Sequence, residues 1–247
     1  MRKNKKGLKI IVYLLSLALA YTAGLAVAAG KDVLQGKTRQ AVHTVLPERT
    51  QTKKVAVPDM ADEVKEVALT FDDGPNPDYT LTLLEGLKKR GVKATFFVLG
   101  EEVEAFPDIL EKIHKDGHLI GVHSYKHVNF GQIGTEAAMV QIETTRDAIY
   151  TVTGEYPGYI RPPYGCWDKS LDARVPMIEV LWDVDPRDWA TKDADTVVNR
   201  ILNNVEPGSI ILLHDASGSS VQAAFTVIDV LQEQGYQFVT VEDLLLE

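Results

Sequence analysis

Five short apolar runs in this chain each end in residues able to do acid–base or metal chemistry. VALT runs into Phe71-Asp72-Asp73-Gly74-Pro75, and LIGV into His123-Ser124-Tyr125-Lys126-His127. Tyr159-Ile160 leads to Arg161-Pro162-Pro163-Tyr164-Gly165. VLW leads to Asp183-Val184-Asp185-Pro186-Arg187-Asp188-Trp189, and IILL to His214-Asp215. His123 and His127 are four apart, so on one helical turn they face the same way and can share a cation. Alone, an HxxxH pair is weak evidence. Together with the Asp-Asp-Gly-Pro cluster upstream it reads as a metal site, with Asp72 or Asp73 supplying the third ligand, because a catalytic zinc commonly takes three protein ligands and leaves one position open. Adjacent carboxylates repel unless a cation neutralises one and a base role uses the other. Such an ion can lower the pKa of water from about 15.7 to about 7, which at roughly 1.36 kcal/mol per pH unit is about 12 kcal/mol. A base, an acid and an oxyanion donor remain to be found. His43, His114 and His118 have no comparable company and read as non-functional.

The elements that must position these clusters alternate from Val64 onward. Strand-like runs are Glu66–Thr70, Ala94–Leu99, His118–Val122, Gly158–Ile160, Met177–Trp182, Ser209–Leu213 and Gln237–Val241. Helical patterns lie between them, such as Thr80–Arg90 closed by Gly91, Phe106–Asp116 closed by Gly117, and Ser220–Gln234 closed by Gly235. A helix stopped by Gly and followed by a β-branched or aromatic run marks a βα unit. Repeated units predict an α/β protein with a parallel sheet, a distorted or incomplete (β/α)7–8 barrel whose site gathers at the carboxyl ends of the strands. A doubly wound open sheet is the alternative, with its site in one crevice.

Length and composition bound the rest. The 247 residues, 45% hydrophobic and 25% charged, suit one sizeable domain plus a short extra segment. Arg2, Lys3, Lys5, Lys6 and Lys9 precede an uncharged apolar stretch from Ile10 to Ala29. This predicts a signal-anchor or signal peptide over residues 1–30, with the basic end cytoplasmic and the remainder outside. The stretch is long enough to span a bilayer, while Ala26-Val27-Ala28 and Val27-Ala28-Ala29 offer cleavage sites. Residues 31–63 read as an extracellular spacer, and 64–247 as the catalytic domain. From Val55 onward 15 Lys+Arg stand against 33 Asp+Glu, a body that would repel nucleic acid and anionic membrane surfaces. With one cysteine, Cys166, no intramolecular disulfide is possible, so the core must hold the fold.

TFDDGP, HSYKH, RPPYG, DPRDW and LLHD, in that order, resemble the five motifs of the polysaccharide deacetylases, carbohydrate esterase family 4. The likeness covers roughly Val64 to Leu246. It implies a distorted (β/α) barrel and metal-dependent removal of acetyl groups from N-acetylated sugars, or from esterified xylan. Carried over, Asp72 is the general base, and Asp73 binds the metal with His123 and His127. Arg161 pairs with Asp72, and an adjacent guanidinium favours the charged carboxylate. The Tyr164 backbone N–H faces the oxyanion, worth roughly 3 kcal/mol for such a donor, on a loop stiffened by Pro162 and Pro163. His214 is the general acid, with Asp185 as its orienting partner; Trp189 and Leu212 wall the acetyl methyl. Asp183, Asp188 and Asp215 receive no catalytic step. Cys166 reads as a packing residue.

The function expected is therefore an N-deacetylase acting on GlcNAc in bacterial peptidoglycan, as a monomer, with one divalent ion. Zinc suits the ligand set, and cobalt, nickel, iron or manganese can fit comparable ligands. Chitin oligomers, an exopolysaccharide, MurNAc and acetyl-xylan are the alternative substrates. A glycan-binding protein without turnover is the alternative class, against which the presence of both Asp72 and His214 argues.

Overall fold

The structure, a computed structural model, describes residues 64–246. The expected membrane segment at 10–29, the spacer at 31–63 and His43 lie outside the described residues. Among the described residues no helix is long and apolar enough to cross a membrane.

Among the described residues seven strands are interleaved with eight α-helices. They run β1 (Lys65–Asp72), α1 (Thr80–Arg90), β2 (Thr95–Val98), α2 (Gly100–Ala105), α3 (Pro107–Lys115), β3 (Leu119–Val122), α4 (Phe130–Ile133) and α5 (Thr135–Thr153). Then come β4 (Tyr159–Ile160), β5 (Ile178–Glu179), α6 (Ala194–Leu202), β6 (Ile210–His214), α7 (Gly218–Glu233), β7 (Tyr236–Val239) and α8 (Val241–Leu246). Every strand pairing is parallel, in the order β5-β4-β3-β2-β1-β6. The chain beyond β5 bridges to β6 through Val184 and Ile211, so the sheet curls until its two ends nearly meet. That brings the sequence-distant ends together as a barrel does and rules out the doubly wound alternative. The barrel is incomplete: β7 pairs with the first half of β1, at Lys65–Ala68, while β2 pairs with the last residues, Thr70–Asp72.

Alternation along the strands sorts two cores. Val67, Leu69 and Phe71 of β1 face the helices and join the larger cluster with Leu83, Leu87, Val227 and Leu231. Phe71 stacks on Phe96 at 5.3 Å. The alternate residues point inward, where the apolar cluster is small: Ala68, Phe97, Tyr159, Val180 and Val241. Helix ends follow local chemistry. Gly91 takes φ 67 after the last turn of α1, which carries Lys88, Lys89 and Arg90 against the negative end of the helix.

Two strand expectations needed correction. The run Met177–Trp182 pairs only at Ile178–Glu179, because the carbonyls of Val180 and Leu181 accept instead from the Arg161 side chain, at 3.1 and 2.9 Å. The last strand ends at Val239, since Thr240 and Asp243 cap α8 reciprocally, through Thr240 N–H to Asp243 Oδ2 at 3.2 Å and Asp243 N–H to Thr240 Oγ1 at 3.3 Å.

Candidate active site and metal centre

Asp73, His123 and His127 converge at the carboxyl ends of β1 and β3. Their ligand atoms all lie within 4.8 Å of one another. Asp73 Oδ1 stands 3.6 Å from His123 Nε2 and 3.5 Å from His127 Nε2, too far for hydrogen bonds. Two ligands on a tetrahedral zinc at about 2.0–2.1 Å are separated by about 3.3 Å, close to these spacings. Asp73 Oδ1 is also buried without a hydrogen-bond partner, which is costly unless a cation or water meets it. His123 Nδ1 lies 2.7 Å from the Arg161 carbonyl and His127 Nδ1 3.2 Å from the Tyr164 hydroxyl. Donating Nδ1–H there leaves each Nε2 lone pair aimed at Asp73 Oδ1. Burial pushes the His123 imidazole below its ordinary range despite Asp72 and Asp73 nearby, which favours the neutral form that a metal requires. These residues fit a divalent ion. They do so on an irregular loop rather than the expected helical turn: Ser124 and His127 have φ of 68° and 53°, and these left-handed residues fold the loop so that both rings face Asp73.

Asp72, the last residue of β1, turns inward beside this triangle. Its Oδ1 accepts from Arg161 Nη1 at 2.8 Å, and its Oδ2 stands 3.7 Å from His123 Nε2. Arg161 is fully buried. It also donates to Thr70 Oγ1 at 2.7 Å and lies over the Phe97 ring at 4.2 Å. With the Val180 and Leu181 carbonyls already described, the guanidinium has an acceptor for each of its edges. That is the condition for tolerating a buried charge.

His214 ends β6, directly opposite Asp72 in the strand register. Its Nδ1 lies 2.8 Å from Asp188 Oδ1, so the partner is Asp188 and the expectation of Asp185 is corrected. Asp185 Oδ1 accepts from the Arg187 N–H at 2.8 Å, closing a turn on itself. Arg187 then takes φ 55 and reverses the chain, carrying Asp188 inward. Burial works against the imidazolium, but the hydrogen bond and charge of Asp188, with Asp72 and Asp73 behind it, win and push His214 up to about 9. Burial likewise opposes the Asp188 charge, and the contacts to His214 and Ser220 still hold that carboxyl below its usual range.

These groups share one cavity of about 440 Å³, lined by Asp72, Asp73, His123, His127, Tyr164, Trp182, Asp185, Trp189, Leu212 and His214. Asp185 therefore stays at the rim without touching His214. Trp189 and Tyr164 are exposed there at 68% and 65%, and Leu212 is buried beneath at 4%. Tyr164 sits in a 3-10 turn, Pro163–Gly165, with φ 61. Pro162, just before that turn, and Pro163, its first residue, are buried and do not line the cavity. Trp182 was not anticipated as a site residue; its place beside the Asp183–Trp189 cluster was the available signal. Cys166 is half-buried, with Sγ 3.6 Å from the Tyr164 carbonyl.

The remaining candidates are structural. Asp183 Oδ2 accepts from Ile210 N–H at 2.8 Å. Asp215 is buried, accepts from the Thr80 hydroxyl, and is pushed up to about 7, chiefly by burial. His118 Nδ1 accepts from Ala94 N–H at 3.1 Å, and burial depresses it to about 4.

The family model described as polysaccharide deacetylase matches residues 59–177. The peptidoglycan-N-acetylmuramic acid deacetylase PdaC of Bacillus subtilis is 43% identical over 180 residues, covering 73% of this chain and 38% of that protein. A peptidoglycan-N-acetylglucosamine deacetylase of Bacillus cereus is 40% identical over 190 residues, covering 72% of this chain and 68% of that protein. The solved structure of PdaC from Bacillus subtilis superposes with a TM-score of 0.72 at 42% identity, covering 74% of this chain and 90% of that one. The chain thus spans little more than a third of one of these relatives and about two thirds of the other.

Proposed function

The chain belongs to the polysaccharide deacetylase family, and from that premise we propose that it is a metal-dependent hydrolase removing N-acetyl groups from GlcNAc residues of peptidoglycan. The observation that carries the reading is the meeting, in one cavity, of an unpartnered Asp73 Oδ1 between two imidazoles with Asp72 and His214.

Asp73, His123 and His127 would hold the ion, zinc by the ligand set. Once bound, it polarises the acetyl carbonyl and makes water a competent nucleophile. Asp72 takes the proton of the attacking water. Arg161 occupies its Oδ1, so Oδ2, turned toward His123 Nε2, is the accepting atom. The Tyr164 backbone N–H donates to the developing oxyanion. His214 delivers its proton to the amide nitrogen as the C–N bond breaks, and acetate and a free amine result. Because Nδ1 is committed to Asp188, Nε2 is the donating atom. Trp189 and Leu212 enclose the acetyl methyl. A transferred proton of this kind is typically worth 10²–10⁴-fold.

MurNAc is the second reading, favoured by the 43% relative whose name specifies that sugar. Polymeric peptidoglycan treated with the protein, digested and analysed by mass spectrometry decides between them. New glucosamine supports the proposal, deacetylated muramic acid supports the second reading, and absence of either product refutes both. Residues 1–30 are proposed to anchor the chain at, or export it across, the cytoplasmic membrane, with 31–63 as the spacer that carries a monomeric catalytic domain into the wall.

A further inference from the structure

Asp188 gives only one of its oxygens to the His214 imidazole. Its Oδ2 accepts from the Ser220 hydroxyl at 2.6 Å and from the His214 backbone N–H at 2.9 Å. Ser220 is 2% exposed and stands in the first turn of α7. The cap of that helix is a different residue: Ser217 Oγ accepts from Ser220 N–H at 3.1 Å. The Ser220 hydroxyl also lies 2.9 Å from the Ser217 hydroxyl; with its own proton given to Asp188 it accepts there, and its backbone N–H is already satisfied. A donor on the far oxygen disperses the carboxylate charge and weakens its pull on the imidazole proton.

We propose that Ser220 is a positioning residue that sets how tightly the His214–Asp188 pair holds its proton, keeping the acid able to release it. The inference rests on the reading of His214 as the proton donor. The other charged groups facing His214 are fixed by other elements: Asp72 and Asp73 from the end of β1, Asp185 across the cavity, and Asp215 as its chain neighbour. The α7 residues that follow Ser217, Gly218 to Ala224, contain no ionisable side chain, so the hydroxyl is what this helix contributes.

The test is the titration of His214 by NMR in the zinc-loaded protein, alongside the pH dependence of kcat, for wild type, Ser220→Ala and Ser220→Cys. The thiol keeps the volume and donates weakly, which guards against an alanine variant that packs poorly. Loss of the donor should move the His214 titration upward by about half a pH unit. The basic limb of kcat should move with it, and kcat near neutrality should fall by up to about threefold, the full Brønsted effect of half a pH unit, with KM unchanged. Ser219→Ala, whose hydroxyl meets Ser217, should titrate as wild type. Identical His214 titrations in all the proteins would overturn the inference. A titration that moves while kcat and its limb stay fixed would uphold the Ser220 role and refute His214 as the acid, so the two failures are distinguishable.

Discussion

Replacing Asp188 with Asn should move the basic limb of the rate profile by more than two pH units. In wild type His214 is pushed up to about 9 from 6.5, which corresponds to about 3 kcal/mol in favour of the imidazolium. That preference exists against burial, since the His214 side chain is only 15% exposed. Asn keeps the shape and can still accept from Nδ1, but it removes the charge. Burial then prevails and the imidazole falls below 6.5. The sign follows directly: the acid form dominates below the folded-state value, so without the ion it persists up to about pH 9 in wild type and only below about 6.5 in the variant. With the two values more than two pH units apart and the wild-type one at or below about 9, the protonated fraction at pH 8 drops about thirtyfold or more, and kcat should fall with it. Asp185→Asn is the internal control, because its carboxylate holds the Arg187 N–H and not the imidazole. Its limb should stay in place. Acetate release from N-acetylglucosamine oligomers, followed from pH 5.5 to 10 with saturating zinc, reads both variants. The bound ion offsets Asp73 and lowers the limb equally in each protein, so the difference between them is the test. A limb lost in Asp185→Asn and kept in Asp188→Asn would refute the reasoning.

Asp73→Ala and His127→Ala each remove one of the three proposed ligands, so both proteins should retain less than about a tenth of an equivalent of zinc after dialysis, measured by mass spectrometry of the metal. Arg161→Met leaves Asp72 buried without its counter-charge, a loss of about 3–5 kcal/mol; calorimetry should show a Tm lower by about 6–20 °C. In Gly74→Ala the new Cβ would meet the Asp215 carboxylate at 2.5–2.9 Å. The loop carrying Asp73 must shift, costing about 1–3 kcal/mol, with zinc affinity, by chelator competition, weakened about tenfold. Cys166→Ser should keep activity within about twofold, since the thiol makes only a long contact with the Tyr164 carbonyl.

The strand ends and the meeting of Asp73 with His123 and His127 were legible because both follow from short-range signals. A buried parallel strand is a continuous apolar run, and VALTFD is one: all six residues of Val67–Asp72 are buried. Where that run stops, Asp72 and Asp73 both face His123 but differ in partners: Asp72 Oδ1 accepts from Arg161, while Asp73 Oδ1 has no hydrogen-bond partner. What was not legible depended on backbone reversals and on distant partners. DPRDW holds two aspartates, and only the left-handed turn at Arg187 decides which one reaches His214. The spacing of His123 and His127 suggested a helix, yet positive φ at Ser124 and His127 does the work of aligning them. Ser220 lies 32 residues beyond Asp188, in a serine run that reads as helix capping, which Ser217 in fact performs. No local pattern could have paired Ser220 with Asp188.

The inward face of the sheet explains why Asp72, the proposed base, and His123, a proposed metal ligand, are placed together. An apolar layer would fill the barrel beneath the site, but the side chain found there is Arg161, between Phe97 and Thr70. Its guanidinium orients Asp72, while its own backbone carbonyl receives His123 Nδ1. One residue therefore fixes two groups with different tasks through two different bonds. The guanidinium's remaining acceptors, the carbonyls of Val180 and Leu181, belong to the segment that leaves β5 and closes on β6. The same charge that holds the base thus ends a regular strand and closes the ring toward the strand that bears His214. A lysine in its place could present a point charge to Asp72 but could not span Thr70, Val180 and Leu181 at once. The planar fork, more than the charge, is what lets a barrel with a thin apolar interior carry a site on its rim.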